Sequence, residues 1–247
     1  MGTALHVDNV DVRYGSHTVL QHASIEVPPG TSLAVIGPNG SGKSTLLNAI
    51  AGLTPLASGS IAYAGKPPAY VLQSTAVDPS LPITVRETVA LARYPERGLL
   101  GRFRAGDVAA IEDAMERLDV SDLANRQLHD LSGGQRQRVF VAQGVAQQSD
   151  LLLLDEPITG LDLPSQKAIL DVISDETAGG RSVILTTHDL DDAQLCDQVL
   201  LLDRHVIASG RPEEVLTEDN LIHAFGGRFV RVGDRLILDD PHHHHQH

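Results

Sequence analysis

The spacing of apolar positions changes character along this chain. From Leu5 to Val27 apolar and polar residues alternate irregularly around the turn residues Tyr14-Gly15-Ser16, which predicts short strands and a hairpin. Ser32-Leu33-Ala34-Val35-Ile36 is a buried-strand run, followed by a glycine-rich turn. A helix is expected over Ser44 to Ala51, stopped by Gly52 and Pro55. Thr84-Val85-Arg86-Glu87 is a capping-box pattern that opens a helix through Arg93. Asp107 can cap another, with Val108, Ile111, Met115 and Leu118 at helical spacing. A further helix should run from about Ser132 to Gln148, so that roughly Ser74 to Gln147 reads as a helical block.

The α/β pattern then resumes. Leu151-Leu152-Leu153-Leu154 and Ser182-Val183-Ile184-Leu185-Thr186 have strand length and are separated by a helical stretch, Pro164 to Glu176. Val199-Leu200-Leu201-Leu202 reads as the last core strand, and 228–239, with Gly233-Asp234 at its middle, as a hairpin. Strands alternating with helices imply a parallel sheet covered on both faces.

Composition narrows the function classes. At 247 residues the chain suits one domain or a domain with a lobe. Aromatics are 3% with no Trp, so Leu, Val, Ile and Ala must build the core. A formal net charge of -13 argues against a broad surface for nucleic-acid phosphates, though not against a local phosphate site. The single cysteine, Cys196, excludes an internal disulfide and a cysteine-only zinc cage. No apolar run approaches a membrane span, and the N-terminus does not read as a signal peptide. The expectation from these features is a soluble, intracellular protein.

Two motifs carry chemistry. Gly37-Pro38-Asn39-Gly40-Ser41-Gly42-Lys43-Ser44 fits G-x-x-x-x-G-K-[ST] between a strand and a helix. Its glycines let backbone N–H groups wrap a polyphosphate, Lys43 adds a positive charge at the β/γ-phosphates, and Ser44 offers a hydroxyl to Mg²⁺. The apolar run 151–154 ends in Asp155-Glu156, where α/β sheets bind ligands. Asp155 can hold Mg²⁺ directly or through water, and Glu156 can polarise an attacking water.

With Leu131-Ser132-Gly133-Gly134-Gln135 the chain resembles the ATPase subunit of an ABC transporter over residues 3 to 225. The motifs occur in that family's order: Tyr14, the phosphate loop, Gln73, the 131–135 signature, Asp155-Glu156, Gly160-Leu161-Asp162 and His188. The resemblance implies an α/β P-loop NTPase fold of ABC type. It has a RecA-like core, an N-terminal antiparallel β subdomain and an α-helical subdomain inserted at about 74–147. A C-terminal hairpin extension (226–240) and a histidine-rich tail (241–247) follow.

By the same resemblance Tyr14 stacks on adenine, Gly37 through Ser44 and Thr45 contact ATP, and Gln73 senses Mg²⁺ and water. His188 contacts the γ-phosphate and orients water with Glu156, and Asp162 meets the partner's phosphate loop. Ser132, Gly133, Gly134 and Gln135 complete the site of a second ATPase subunit in a head-to-tail dimer that ATP closes and hydrolysis opens. Ile158 departs from the Thr or Ser commoner at its position, without removing a catalytic group. Implied partners are integral membrane permease subunits and, indirectly, an extracytoplasmic metal-binding protein. No nucleic acid is expected, and the implied location is the cytoplasmic face of the membrane.

The segment after Gln73, Asp78 to Val89 and on through Arg93-Tyr94 and 98–102, resembles the subgroup importing manganese, zinc or iron. An importer of another substrate remains the alternative. A non-transport ABC ATPase of DNA repair or translation is a further one, although those carry two ATPase units or a long coiled coil. The terminal run Asp239-Asp240-Pro241-His242-His243-His244-His245-Gln246-His247 offers imidazole and carboxylate ligands for zinc-like ions, or is a tag or inert tail.

Overall fold

The computed structural model describes residues 2–73, 78, 80–98, 101–226, 229–232 and 235–238. Six strands form the central sheet. In chain order they are β3 (Ser32–Ile36), β5 (Ala69–Val71), β6 (Leu151–Leu154), β7 (Ser182–Thr186), β8 (Gln198–Asp203) and β9 (His205–Gly210). Their spatial order is β5-β6-β7-β3-β8-β9, parallel except for β9, which pairs antiparallel with β8 at the edge. β8 is the last strand buried in the core, as the sequence suggests, and the half-buried β9 is an added edge strand that the sequence pattern does not predict. The half-buried residues of β9 give no clean alternation by which to recognise it.

Period-two alternation sorts the sheet residues onto two cores. Leu33, Val35, Leu151, Leu153, Ile184, Leu200 and Leu202 face one core; Ala34, Ile36, Leu152, Leu154, Val183, Leu185, Val199 and Leu201 face the other. The first core is closed by α1 (Lys43–Ile50) and by an antiparallel sheet of β1 (Leu5–Tyr14), β2 (His17–Val27) and β4 (Ser58–Tyr63) in the order β2-β1-β4. The irregular alternation there has a cause. Bulges shift the β1–β2 register between Val7 and Val10 and again between Val10 and Val12. The left-handed residues Asn9 (φ 47) and His22 (φ 49) lie at these shifts, and the Asn9 Oδ1 and His22 Nδ1 atoms are 2.9 Å apart.

The second core is closed by helices. These include α2 (Val85–Ala90), α4 (Ala105–Arg117), α5 (Gly133–Ala146) and α6 (Leu163–Ala178), with the short α3 (Tyr94–Arg97) between α2 and α4. Thr84 and Glu87 form the expected capping box, although α2 tightens to a 3-10 turn over Leu91–Arg93. Two expectations for α4 change. Asp107 is not its N-cap: Arg104 is, and the Asp107 carboxylate reaches back to accept from the Arg104 N–H at 2.8 Å. Val108 is 44% exposed, so the buried apolar stripe starts at Ala110 and Ile111. Ile158 is buried in this core, which accounts for an apolar residue after Glu-Pro.

The chain ends its described part with α7 (Leu190–Gln194), α8 (Pro212–Val215), α9 (Glu218–Phe225) and the antiparallel pair β10 (Phe229–Val232) and β11 (Arg235–Leu238). The turn at 233–234 and the histidine-rich tail lie outside the described residues, as do 79, 99 and 100 of the expected partner-contact segment. Among the described residues no helix is long and apolar enough to cross a membrane. No group of three or more His, Cys, Asp or Glu among them could hold a metal ion.

Candidate functional site

The site forms where β3, β6 and β7 end. β3 leads into the loop from Gly37, and α1 starts at Lys43, so the helix N-terminus and its unpaired N–H groups face the loop. Gly37 is required by close approach: a Cβ there would stand 2.0 Å from the Leu202 carbonyl oxygen. The Lys43 ammonium is buried and donates to the Gly37 carbonyl at 2.7 Å and the Pro38 carbonyl at 3.2 Å. Burial pushes its pKa below the usual lysine value, while Glu156 and Asp155 pull it back up.

The Ser44 hydroxyl donates to Asp155 Oδ1 at 3.1 Å. This oxygen pair, at the head of the helix, is a donor set suited to Mg²⁺, a hard cation that takes oxygen ligands. Among the described residues the buried Ser41 hydroxyl oxygen has no protein partner, and none stands within 4 Å of a Cβ placed on Gly40. Both features fit a loop shaped around a polar, oxygen-rich ligand.

Asp155 is buried, and its N–H donates to Val71 O at 3.0 Å. Glu156 turns into the left-handed region at φ 48. Its carboxylate accepts from Gln73 Nε2 at 2.9 Å. The Thr186 hydroxyl, unnoticed in the sequence, joins the two acids: it donates to Asp155 Oδ1 at 2.6 Å and accepts from the Glu156 N–H at 2.8 Å. Tyr70 is a second residue that sequence reasoning misses. Its hydroxyl lies 3.5 Å from Asp155 Oδ2, and burial raises its pKa. Strand parity could have found both residues, because Thr186 shares a sheet face with Ile184 and Tyr70 packs against the same core.

Ser132 caps α5 and forms a capping box with Gln135: the Gln135 N–H donates to Ser132 Oγ at 3.2 Å, and the Ser132 N–H donates to Gln135 Oε1 at 3.0 Å. Gly133 and Gly134 line a cleft of about 310 Å³ together with Gln73, Gln137, Glu156 and Thr159. Gly134 packs on the start of α6, where a Cβ would stand 2.8 Å from Ser165 Oγ and 3.1 Å from Asp162 Oδ1. The Ser165 hydroxyl holds the Asp162 carboxyl below the usual carboxylate range. Other expected residues stand apart. Tyr14 is half-exposed, with its hydroxyl 3.3 Å from Thr54 Oγ1. His188 is exposed after β7 and makes no hydrogen bond to Glu156 among the described residues.

The loop, the acidic strand end and the glycine-flanked helix start are now on one chain. Residues 20–159 match the ABC transporter family. The chain belongs to this family. It is 38% identical to the manganese transport system ATP-binding protein MntB of Bacillus subtilis, over 95% of this chain and 97% of that protein. It is 39% identical to the zinc transport system ATP-binding protein TroB of Treponema pallidum, over 91% of this chain and 88% of that one. Its fold superposes with a TM-score of 0.82 on a chain described as from a metal-chelate type ABC transporter in an inward-facing conformation. The two are 27% identical, and 96% of each is covered. The protein is an ABC-type ATPase with the α/β fold of that family, an ATP-binding subunit of the kind that works with membrane permease components.

Proposed function

We propose that the protein is the ATP-hydrolysing subunit of an importer for a divalent transition metal, manganese, zinc or iron. The observation that carries the enzyme reading is the convergence of Lys43, Ser44, Asp155, Gln73 and Glu156 at the C-terminal ends of the sheet strands. The metal reading is supported by relatives named for manganese and zinc transport that align along nearly the whole chain.

In this reading the N–H groups from Gly37 to Thr45 cradle the phosphates of ATP, and Lys43 sets its charge at the β/γ-phosphates. Ser44, Asp155 and Gln73 would hold Mg²⁺, whose charge offsets that of the phosphates when it is bound. Glu156 accepts the proton of the attacking water as general base. Gln73, bonded to its carboxylate, keeps the free Glu156 oxygen turned to that water. Tyr14 stacks on the adenine, and His188 reaches the γ-phosphate from the strand beside Glu156. Ser132, Gly133, Gly134 and Gln135 serve a second copy of the chain, with Asp162 beside them at the subunit boundary. ATP then favours the closed pair because only that state offers it both sets of contacts.

The permease side is supported by an apolar groove of about 570 Å³ on the helical lobe, lined by Leu81, Ile83, Leu91, Tyr94, Phe103 and Val108. A permease docked there places the subunit at the cytoplasmic face of the membrane. The test is reconstitution with the permease in vesicles, with hydrolysis measured as a metal-binding protein is added. Stimulation by the manganese-, zinc- or iron-loaded form, and not by the metal-free form, is expected. Equal stimulation by both forms overturns the metal assignment, and hydrolysis driven by nucleic acid instead overturns the transport reading.

A further inference from the structure

The buried hydroxyl of Thr186 touches both members of the acidic pair, and the chemistry of its partners fixes its polarity. A backbone N–H can only donate, so the hydroxyl oxygen accepts from Glu156 N at 2.8 Å. An ionised carboxylate can only accept, so the single hydroxyl proton goes to Asp155 Oδ1 at 2.6 Å. Thr186 is fully buried at the end of β7, between β6 and β3, away from bulk solvent. We propose that Thr186 is the positioning residue of the site, orienting the Asp155 carboxylate and the Glu156 main chain through one hydroxyl.

Two constraints meet at this hydroxyl. Glu156 holds φ 48, a conformation that side-chain-bearing residues resist, and among the described residues its N–H is anchored through Thr186. Asp155 Oδ1 receives two hydroxyls, the shorter from Thr186 and the longer from Ser44 at 3.1 Å. Removing the Thr186 hydroxyl therefore takes away the shortest of the bonds to the Asp155 carboxylate, leaves it to Ser44 at 3.1 Å and Tyr70 at 3.5 Å, and releases the turn that aims Glu156. The residue touches no substrate; it acts through the two acids. Ordinary strand packing does not require the hydroxyl, because Val has the same branched shape and strand preference.

The assignment rests on the ATPase reading of the site, and the experiment separates the two. Thr186→Val removes the hydroxyl at nearly constant shape, Thr186→Ala removes it with a smaller side chain, and Thr186→Ser keeps it. Each full-length variant is assayed for binding of a non-hydrolysable ATP analogue without metal, for Mn²⁺ affinity with that analogue by electron paramagnetic resonance, and for kcat and KM. Thr186→Val should bind the metal-free analogue like the parent. It should lose Mn²⁺ affinity and kcat by roughly 10- to 100-fold with little change in KM. Thr186→Ser should recover most of both. If Thr186→Val fails to fold, Thr186→Ala supplies the same comparison. Parent-like Mn²⁺ affinity and kcat in the folded hydroxyl-free variant, or a Thr186→Ser as impaired as Thr186→Val, overturns the role of Thr186. A parent protein that hydrolyses no ATP overturns the ATPase reading, and the Mn²⁺ measurement still decides the role of Thr186.

Discussion

Arg93 and Asp107 form an ion pair sealed inside the helical lobe, 3.0 Å apart, with side chains 5% and 0% exposed. Asp107 also accepts from Arg97 Nε at 2.7 Å, and Arg93 donates onward to the Ala146 carbonyl at 3.1 Å, at the end of α5. One carboxylate thus ties α3 and α4 to the far end of the helix that begins at Ser132. The Arg97 guanidinium, then the Arg104 N–H and Arg93, hold the Asp107 carboxyl well below the usual carboxylate range.

Because the folded pKa is depressed, this stabilisation is fully present above the unfolded value, about 3.9, and fades as pH falls through the folded one. Asp107→Asn should lower the melting temperature on the order of 5–10 °C at neutral pH, since it leaves buried guanidinium groups short of a counter-charge. Thermal melts from pH 7 downward should show a constant gap between parent and variant that narrows below about pH 4. A gap that widens in acid contradicts the assignment.

Glu156→Gln keeps the shape of the side chain and removes the carboxylate proposed as the base. Hydrolysis should fall about 10²- to 10⁴-fold while ATP stays bound. The variant should elute as a dimer with ATP, and its turnover is read under steady-state conditions. Turnover near that of the parent excludes Glu156 as the base.

The neighbouring glycines of the 131–135 motif should behave differently. A methyl group added at Gly133 meets nothing within 4 Å, whereas one at Gly134 runs into the Ser165 hydroxyl and Asp162. Alanine is favoured over glycine in a helix by roughly 1 kcal/mol. Gly133→Ala should therefore hold or raise the melting temperature. Gly134→Ala should lower it, because the buried Ser165 must shift to admit the methyl group. Equal melting temperatures in calorimetry would show that the α5–α6 contact is loose.

Much of this architecture was legible because single residues carried it. The largely apolar runs 32–36, 151–154 and 182–186 became strands buried on both faces, and Thr84 and Ser132 became caps with their partners three residues on. The site pairs were harder. Gln73 and Glu156 are 83 residues apart, and Thr186 lies 31 residues past Asp155. Such contacts depend on which strands become neighbours, which no local period records. Asp107 shows the same limit from another side. Its side-chain chemistry suggested a cap, yet the pull of Arg93 and Arg97 placed it at the third helical position, deep in the lobe.

β5 has one further consequence. The Val71 carbonyl is bonded to the Asp155 N–H, and only Leu72 separates Val71 from Gln73, which grips Glu156. The stretch of chain that leaves the sheet for the helical lobe is thus a short tether, fastened to one acid through its main chain and to the other through a side chain. The path of the chain as it leaves the sheet and the placement of both acids are set by the same three residues, so a substitution that repositions Leu72 should disturb Asp155 and Glu156 together.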